Sequence, residues 1–212
     1  MIKQSLLTVL IVSSFNAMAA PLAYKDGMMG MADYSKTSTD LGFNYSVTAK
    51  DAIGITSVYQ QTDSSSRTSL TNELAYTRLA HRWNLSDAQA NVWLFLGAGE
   101  MKTNQSATTK PTVSPGIQVD YETTRIYGAA TVKSSFANNA SSINTSFRTG
   151  FSFYETNYDE AQPWLIIEAR RMSFVSPKYE YTPMLRIIDK SYFLELGANL
   201  QGQPRINFMY TY

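Results

Sequence analysis

Apolar and polar residues alternate along much of this chain with a period of two, the repeat of a β-strand whose successive side chains point to opposite faces. From Arg205 to Tyr212 the pattern is clearest: Ile206, Phe208, Tyr210 and Tyr212 fall on one face, and Arg205, Asn207, Met209 and Thr211 on the other. From Tyr192 to Leu200, Leu194 and Leu196 oppose Phe193 and Glu195, and Gln201-Gly202-Gln203-Pro204 then reads as a tight turn. Leu185 and Ile187 oppose Arg186, and Leu165, Ile167 and Ala169 oppose Glu168 and Arg170. The longest alternation runs from Ile143 to Tyr154, with Phe147, Phe151 and Phe153 opposite Asn144, Ser146 and Arg148. Ile117, Val119 and Tyr121 oppose Gln118 and Asp120, followed by a partner strand from Arg125 to about Ser135. Leu41, Phe43, Tyr45 and Val47 oppose Asp40, Gly42, Asn44 and Ser46. Strands near Met28 to Ser35, Ile53 to Gln60, Leu70 to Trp83 and Val92 to Met101 complete a set of twelve. Ten results if the Ile117 and Arg125 segments merge and the first strand fails. Alternation alone does not decide whether the apolar face meets a protein core or lipid.

The segments between strands are polar. The longest, Thr103 to Pro115, reads as a mobile loop. With the first strand directed outward, this loop and 62–69, 137–142 and 175–181 lie outside, while Lys50-Asp51, 85–90 and 156–162 lie inside.

The first residues bear on where the chain resides. A basic start at Lys3, an apolar run from Leu6 to Val12 and the ending Ala17-Met18-Ala19 form a secretory signal peptide, with cleavage expected after Ala19 and one mature domain over residues 20–212. The apolar run is shorter than the roughly 20 residues a helical span needs. With Lys3 in the leader, the remaining basic side chains balance the 17 acidic ones, so the chain carries no electrostatic footprint for nucleic acid. There is no cysteine, which excludes disulfides, zinc thiolates and a thiolate nucleophile. The 14 Tyr, 10 Phe and 3 Trp stand among few charged residues at a mildly polar mean hydropathy. A transmembrane barrel has this composition, because lipid-facing apolar positions alternate with polar interior ones.

With Phe208, Tyr210 and Tyr212 ending an alternating last strand behind a signal peptide, the chain resembles the Gram-negative outer-membrane β-barrel family. The resemblance implies an all-β, closed antiparallel transmembrane barrel in the cell outer membrane. It also implies that Phe208, Tyr210 and Tyr212 form the assembly signal read by the barrel-assembly machinery. Phe147, Phe151, Phe153, Leu194, Leu196, Ile206, Phe208 and Tyr210 are then expected against outer-membrane lipid. Asp120, Arg148, Glu168, Arg170, Arg186, Glu195 and Arg205 are expected to line the lumen.

Candidate chemistry is sparse. His81, the only histidine, shares parity with Leu79 and Trp83, read as interfacial lipid-facing residues on the periplasmic side. A lipid-modifying enzyme would depend on it, and no catalytic residue is assigned. Asp120 with Glu122 and Glu168 with Glu195 are paired carboxylates, but inward arginines surround them, so ion pairing is expected. No spacing of His, Cys, Asp and Glu forms a metal site, Met28, Met29 and Met31 read as apolar packing, and no cofactor is expected. Gly97-Ala98-Gly99 lacks a phosphate-loop pattern and reads as easing strand curvature. The expected function is a narrow passive channel for small polar or ionic solutes, the alternative a non-conducting structural or adaptor barrel docking an envelope partner.

Overall fold

The computed structural model describes residues 21–138, 140–155 and 160–212; the signal-peptide reading of residues 1–19 lies outside them. Among the described residues twelve strands form: β1 (Met28–Ser35), β2 (Ser38–Ser46), β3 (Asp51–Gln61), β4 (Thr68–Asn84), β5 (Ala88–Thr103), β6 (Lys110–Thr123), β7 (Ile126–Ala137), β8 (Ser142–Ser152), β9 (Gln162–Met172), β10 (Glu180–Asp189), β11 (Tyr192–Ala198) and β12 (Pro204–Thr211). Each pairs antiparallel with its chain neighbours, and β1 pairs with β12, so the sheet closes into a barrel without a free edge. Met28 and Tyr212 lock the seam by exchanging backbone hydrogen bonds of 2.8 and 3.0 Å, which puts both ends of the barrel sequence at one rim.

Most turns at that rim are short: 47–50, 85–87, 124–125 and 190–191. Thr48 Oγ1 accepts from the backbone N–H groups of Lys50 and Asp51, and Lys190 takes a left-handed φ of 50° to close its tight turn. The connections at the other rim are mostly longer, including 62–67, 104–109 and 173–179. Short turns on the side of the termini and longer loops opposite are the arrangement of outer-membrane barrels.

Two expectations are corrected. The predicted loop from Thr103 to Pro115 shrinks to 104–109, because β6 begins at Lys110 and carries Pro111 and Pro115 within it. Pro115 lacks an N–H, and the β6–β7 ladder skips it, running from Val113↔Phe136 to Gly116↔Lys133 while β5 keeps its register. Leu79 is not lipid-facing. The β4–β5 register shifts between Leu79 and His81, and this bulge turns Leu79 into the barrel while His81 and Trp83 point outward.

The two faces differ sharply. Outward side chains are apolar and exposed, with Leu74 at 72% and Ile55 at 59%, while inward Arg186 and Glu195 are at 0%. Such a continuous exposed apolar surface far exceeds what a soluble monomer carries. Phe147, Phe151, Phe153, Leu196, Ile206 and Phe208 belong to it, and Leu194 and Tyr210 share its outward parity. Aromatic side chains gather at both margins. Trp83, Tyr121, Tyr192 and Tyr212 stand near the rim of the termini, and Tyr59, Phe136, Tyr179 and Tyr181 near the opposite one. Paired aromatic girdles flanking an apolar band are the signature of a barrel held in a bilayer.

Candidate functional site

The inward residues form three zones along the axis. Nearest the termini they are large and apolar: Tyr127, Trp164, Ile166, Met184, Ile188 and Phe193 make one buried cluster, and Leu22, Ala52, Leu79 and Trp93 another. Toward the opposite rim they are mainly small hydroxyls and amides, among them Ser38, Gln60, Ser69, Thr71, Thr112 and Ser142. Between these zones lie the charges.

Four arginines and four carboxylates from six strands interlock on one wall. Arg148 Nε donates to Glu168 Oε1 at 3.0 Å and its Nη2 to Glu195 Oε2 at 2.8 Å, so one guanidinium holds two carboxylates apart. Arg186 Nε reaches the other Glu195 oxygen at 2.9 Å, and its guanidinium lies over the rings of Tyr127 at 4.2 Å and Phe193 at 5.0 Å. Arg205 Nη2 binds Asp33 at 2.7 Å and Glu168 at 3.2 Å, and Arg170 contacts Glu180 at 3.3 Å and Asp33 at 3.8 Å. Ser146 and Asn207 donate further bonds to Glu168 and Glu195. Charges this buried persist only when paired and hydrogen-bonded, and the block is formally neutral.

The facing wall is different. Asp40 and Glu73, both within electrostatic reach of Lys133, have no ion pair among the described residues. Glu73 accepts a hydrogen bond from Ser114, and Lys133 Nζ lies 4.6 Å from the centroid of the Phe95 ring. A Cβ on Gly97 would run into the Glu73 carboxylate, so this glycine clears the space that carboxylate occupies. Between the walls is a cavity of about 350 Å³ lined by Asp33, Asp40, Glu73, Lys133, Arg170 and Arg205 among others. It extends from Pro21, Asn44 and Met209 near the termini to Gln60 and Met101 near the opposite rim.

The structure gathers Arg148, Glu168, Arg170, Arg186, Glu195 and Arg205 into one network. Asp120 stands apart, accepting from Asn91 at 2.6 Å, Trp93 at 2.7 Å and Gln118 at 3.0 Å. Glu168 and Glu195 do lie together, with Arg148 between them rather than a shared proton. Sequence reasoning missed Asp33 and Glu180. Asp33 sits directly across from Asp40 on the β1–β2 ladder, and like charges so placed are tolerated where Arg205 and Arg170 hold one of them. His81 packs its ring 4.2 Å from that of Trp83 on the outer surface. Met29 is buried inside the barrel, while Met28 is exposed outside.

No protein-family model and no curated protein matches the sequence. Solved structures do match. A KdgM porin is 11% identical, with 88% of this chain and 98% of that one covered at a TM-score of 0.50. A KdgM porin in complex with disordered oligogalacturonate is 12% identical over 88% and 98%, at 0.48. OmpT, an outer membrane protein of Vibrio cholerae in its trimer form, is 7% identical over 88% and 97%, at 0.37. At these identities the likeness is one of fold alone: an all-β, closed antiparallel barrel.

Proposed function

We propose that this chain is an outer-membrane barrel through which small polar or ionic solutes pass passively, with a preference for cations. The cavity of about 350 Å³ along the barrel axis carries this reading, because an internally neutral ion-pair block stands on one side of it and charged side chains outside that block, Asp40, Glu73 and Lys133, line the other. The arginines give the lumen a cationic look, yet Asp33, Glu168, Glu180 and Glu195 offset Arg148, Arg170, Arg186 and Arg205 one for one. Outside that block the cavity lining holds Asp40 and Glu73 against Lys133, two carboxylates to one ammonium. In a low-dielectric bore a single uncompensated charge biases which ion enters.

Residence in the outer membrane is supported by the apolar belt, the two aromatic girdles and the porin fold. Export would use the signal peptide of residues 1–19. Outer-membrane lipid would then surround the belt, and the barrel-assembly machinery would read the last strand through Phe208, Tyr210 and Tyr212. The mature chain in a planar bilayer tests the proposal. Discrete conductance steps and a reversal potential of cation-selective sign in a salt gradient are expected; no steps above background would reject a channel.

The apolar zone at the rim of the termini favours a second reading, a non-conducting barrel that docks an envelope partner. A partner that co-purifies from mildly solubilised membranes, with no conductance in the purified barrel, would establish it instead.

A further inference from the structure

The segment preceding β1 does not trail away from the barrel. Pro21 lines the lumenal cavity, and Leu22 and Ala23 are buried at 7% each. Leu22 packs with Ala52 of β3, Leu79 of β4 and Trp93 of β5, with Phe95 against the same cluster. These are inward-facing residues near the rim of the termini, so the segment lies inside the mouth and not over its edge. The chain gets there by a reversal. Gly27 N–H bonds Tyr24 O at 2.9 Å, Asp26 takes a φ of 65°, and Asp26 N–H bonds Ser46 O at 2.8 Å, which pins the reversal to the end of β2. From that anchor, residues 21–23 reach across to the β3–β5 wall. The β4 bulge serves the same contact, since it lets Leu79 face inward under Leu22 while His81, two residues later, stays outside.

We propose that residues Pro21–Ala23 are a plug that closes the lumen at the rim of the termini, seated by Leu22 in the apolar socket of Ala52, Leu79 and Trp93 and able to leave it. The proposal rests on the channel reading and on removal of residues 1–19, which leaves this strap as a short free end. Its opposite, β3–β5 wall is held by ladders that do not involve the strap, so the plug can unseat without opening the barrel. An apolar seat is suited to this task, because Leu22 is held there by burial of apolar surface and its release leaves the ion pairs of the charged zone intact.

The test uses the mature chain in planar bilayers. Leu22→Asp places a charge in the socket, and a several-fold rise in mean conductance or in the fraction of time open is expected. A second variant, Leu22→Cys with Ala52→Cys, supplies the only two thiols in a protein without cysteine. Oxidation is expected to cross-link the strap and suppress the current, and a reductant to restore it. Failure of this pair to cross-link, or equal currents from wild type, Leu22→Asp, and both oxidised and reduced forms, would overturn the plug while leaving a channel. If cross-linking succeeds and every form stays silent, it is the channel reading that fails, and the plug with it. Should Leu22→Asp not fold, the cysteine pair decides alone.

Discussion

Arg148 and Glu168 are Cα partners across the β8–β9 ladder, and the Arg148 Nε closes on the carboxylate at 3.0 Å. A cross-strand neighbour needs no long reach, so this pair is held by the sheet itself. The remaining length of the guanidinium is then free to bridge to Glu195 at 2.8 Å, which β10 in turn faces with Arg186. Two ladder pairs and one bridge thus tie four strands together through the interior.

Arg148→Met removes that bridge and leaves two buried carboxylates each short of a partner. A loss of about 3–5 kcal/mol in folding stability is expected, the range for breaking a buried pair from one side. Urea-induced unfolding from lipid vesicles measures it; a midpoint unchanged from wild type would show that the network contributes little.

Asp40→Asn combined with Glu73→Gln removes both unpaired carboxylates from the cavity and leaves Lys133. The reversal potential in a salt gradient is expected to change sign toward anions, whereas Lys133→Met moves it further toward cations. The two variants shifting it in the same direction would refute the charge balance proposed here.

Phe147 and Ser146 are adjacent in β8 but face the outer apolar surface and the lumen respectively. Phe147→Arg should lower stability in vesicles by about 2–4 kcal/mol, the cost of an arginine on the lipid face near the midplane. Ser146→Arg should instead alter conductance with a smaller stability change. Equal effects at the two sites would contradict the assignment of faces.

Gly97→Val places carbon where the Glu73 carboxylate lies, and an overpacking penalty of about 1–3 kcal/mol is expected together with reduced cation preference. Gly128→Ala is the control, since nothing lies within 4 Å of the Cβ it would add. Thermal unfolding in detergent compares them, and identical midpoints would mean Glu73 has room to move.

Tyr210→Ala with Tyr212→Ala tests the proposed assembly signal. Slower appearance of folded barrel in outer membranes is expected, with unassisted folding into vesicles little changed. A normal rate in cells would remove that role from the last strand.

Much of the interior is legible in the sequence. The inward parity of Arg148, Glu168, Arg170, Arg186, Glu195 and Arg205, the twelve strands and the outward direction of the phenylalanines all follow from the period of two, because side-chain direction along a strand is a local steric property of the chain. Where that period is broken or blurred, reading failed. Gly30, Met31 and Ala32 hide the parity of β1 and so of Asp33, Glu180 lies where the sequence reads as loop, and the prolines at 111 and 115 disguise the start of β6. A single inserted residue at the β4 bulge sent Leu79 to the face opposite the one assigned. Only closure of the barrel decided which charges meet. The pairing of Arg205 with Asp33 crosses the seam between β12 and β1, and the contact of Leu22 with Trp93 spans the mouth. Both depend on the stagger accumulated around all the strands, a quantity set by the ladders jointly and carried by no segment alone.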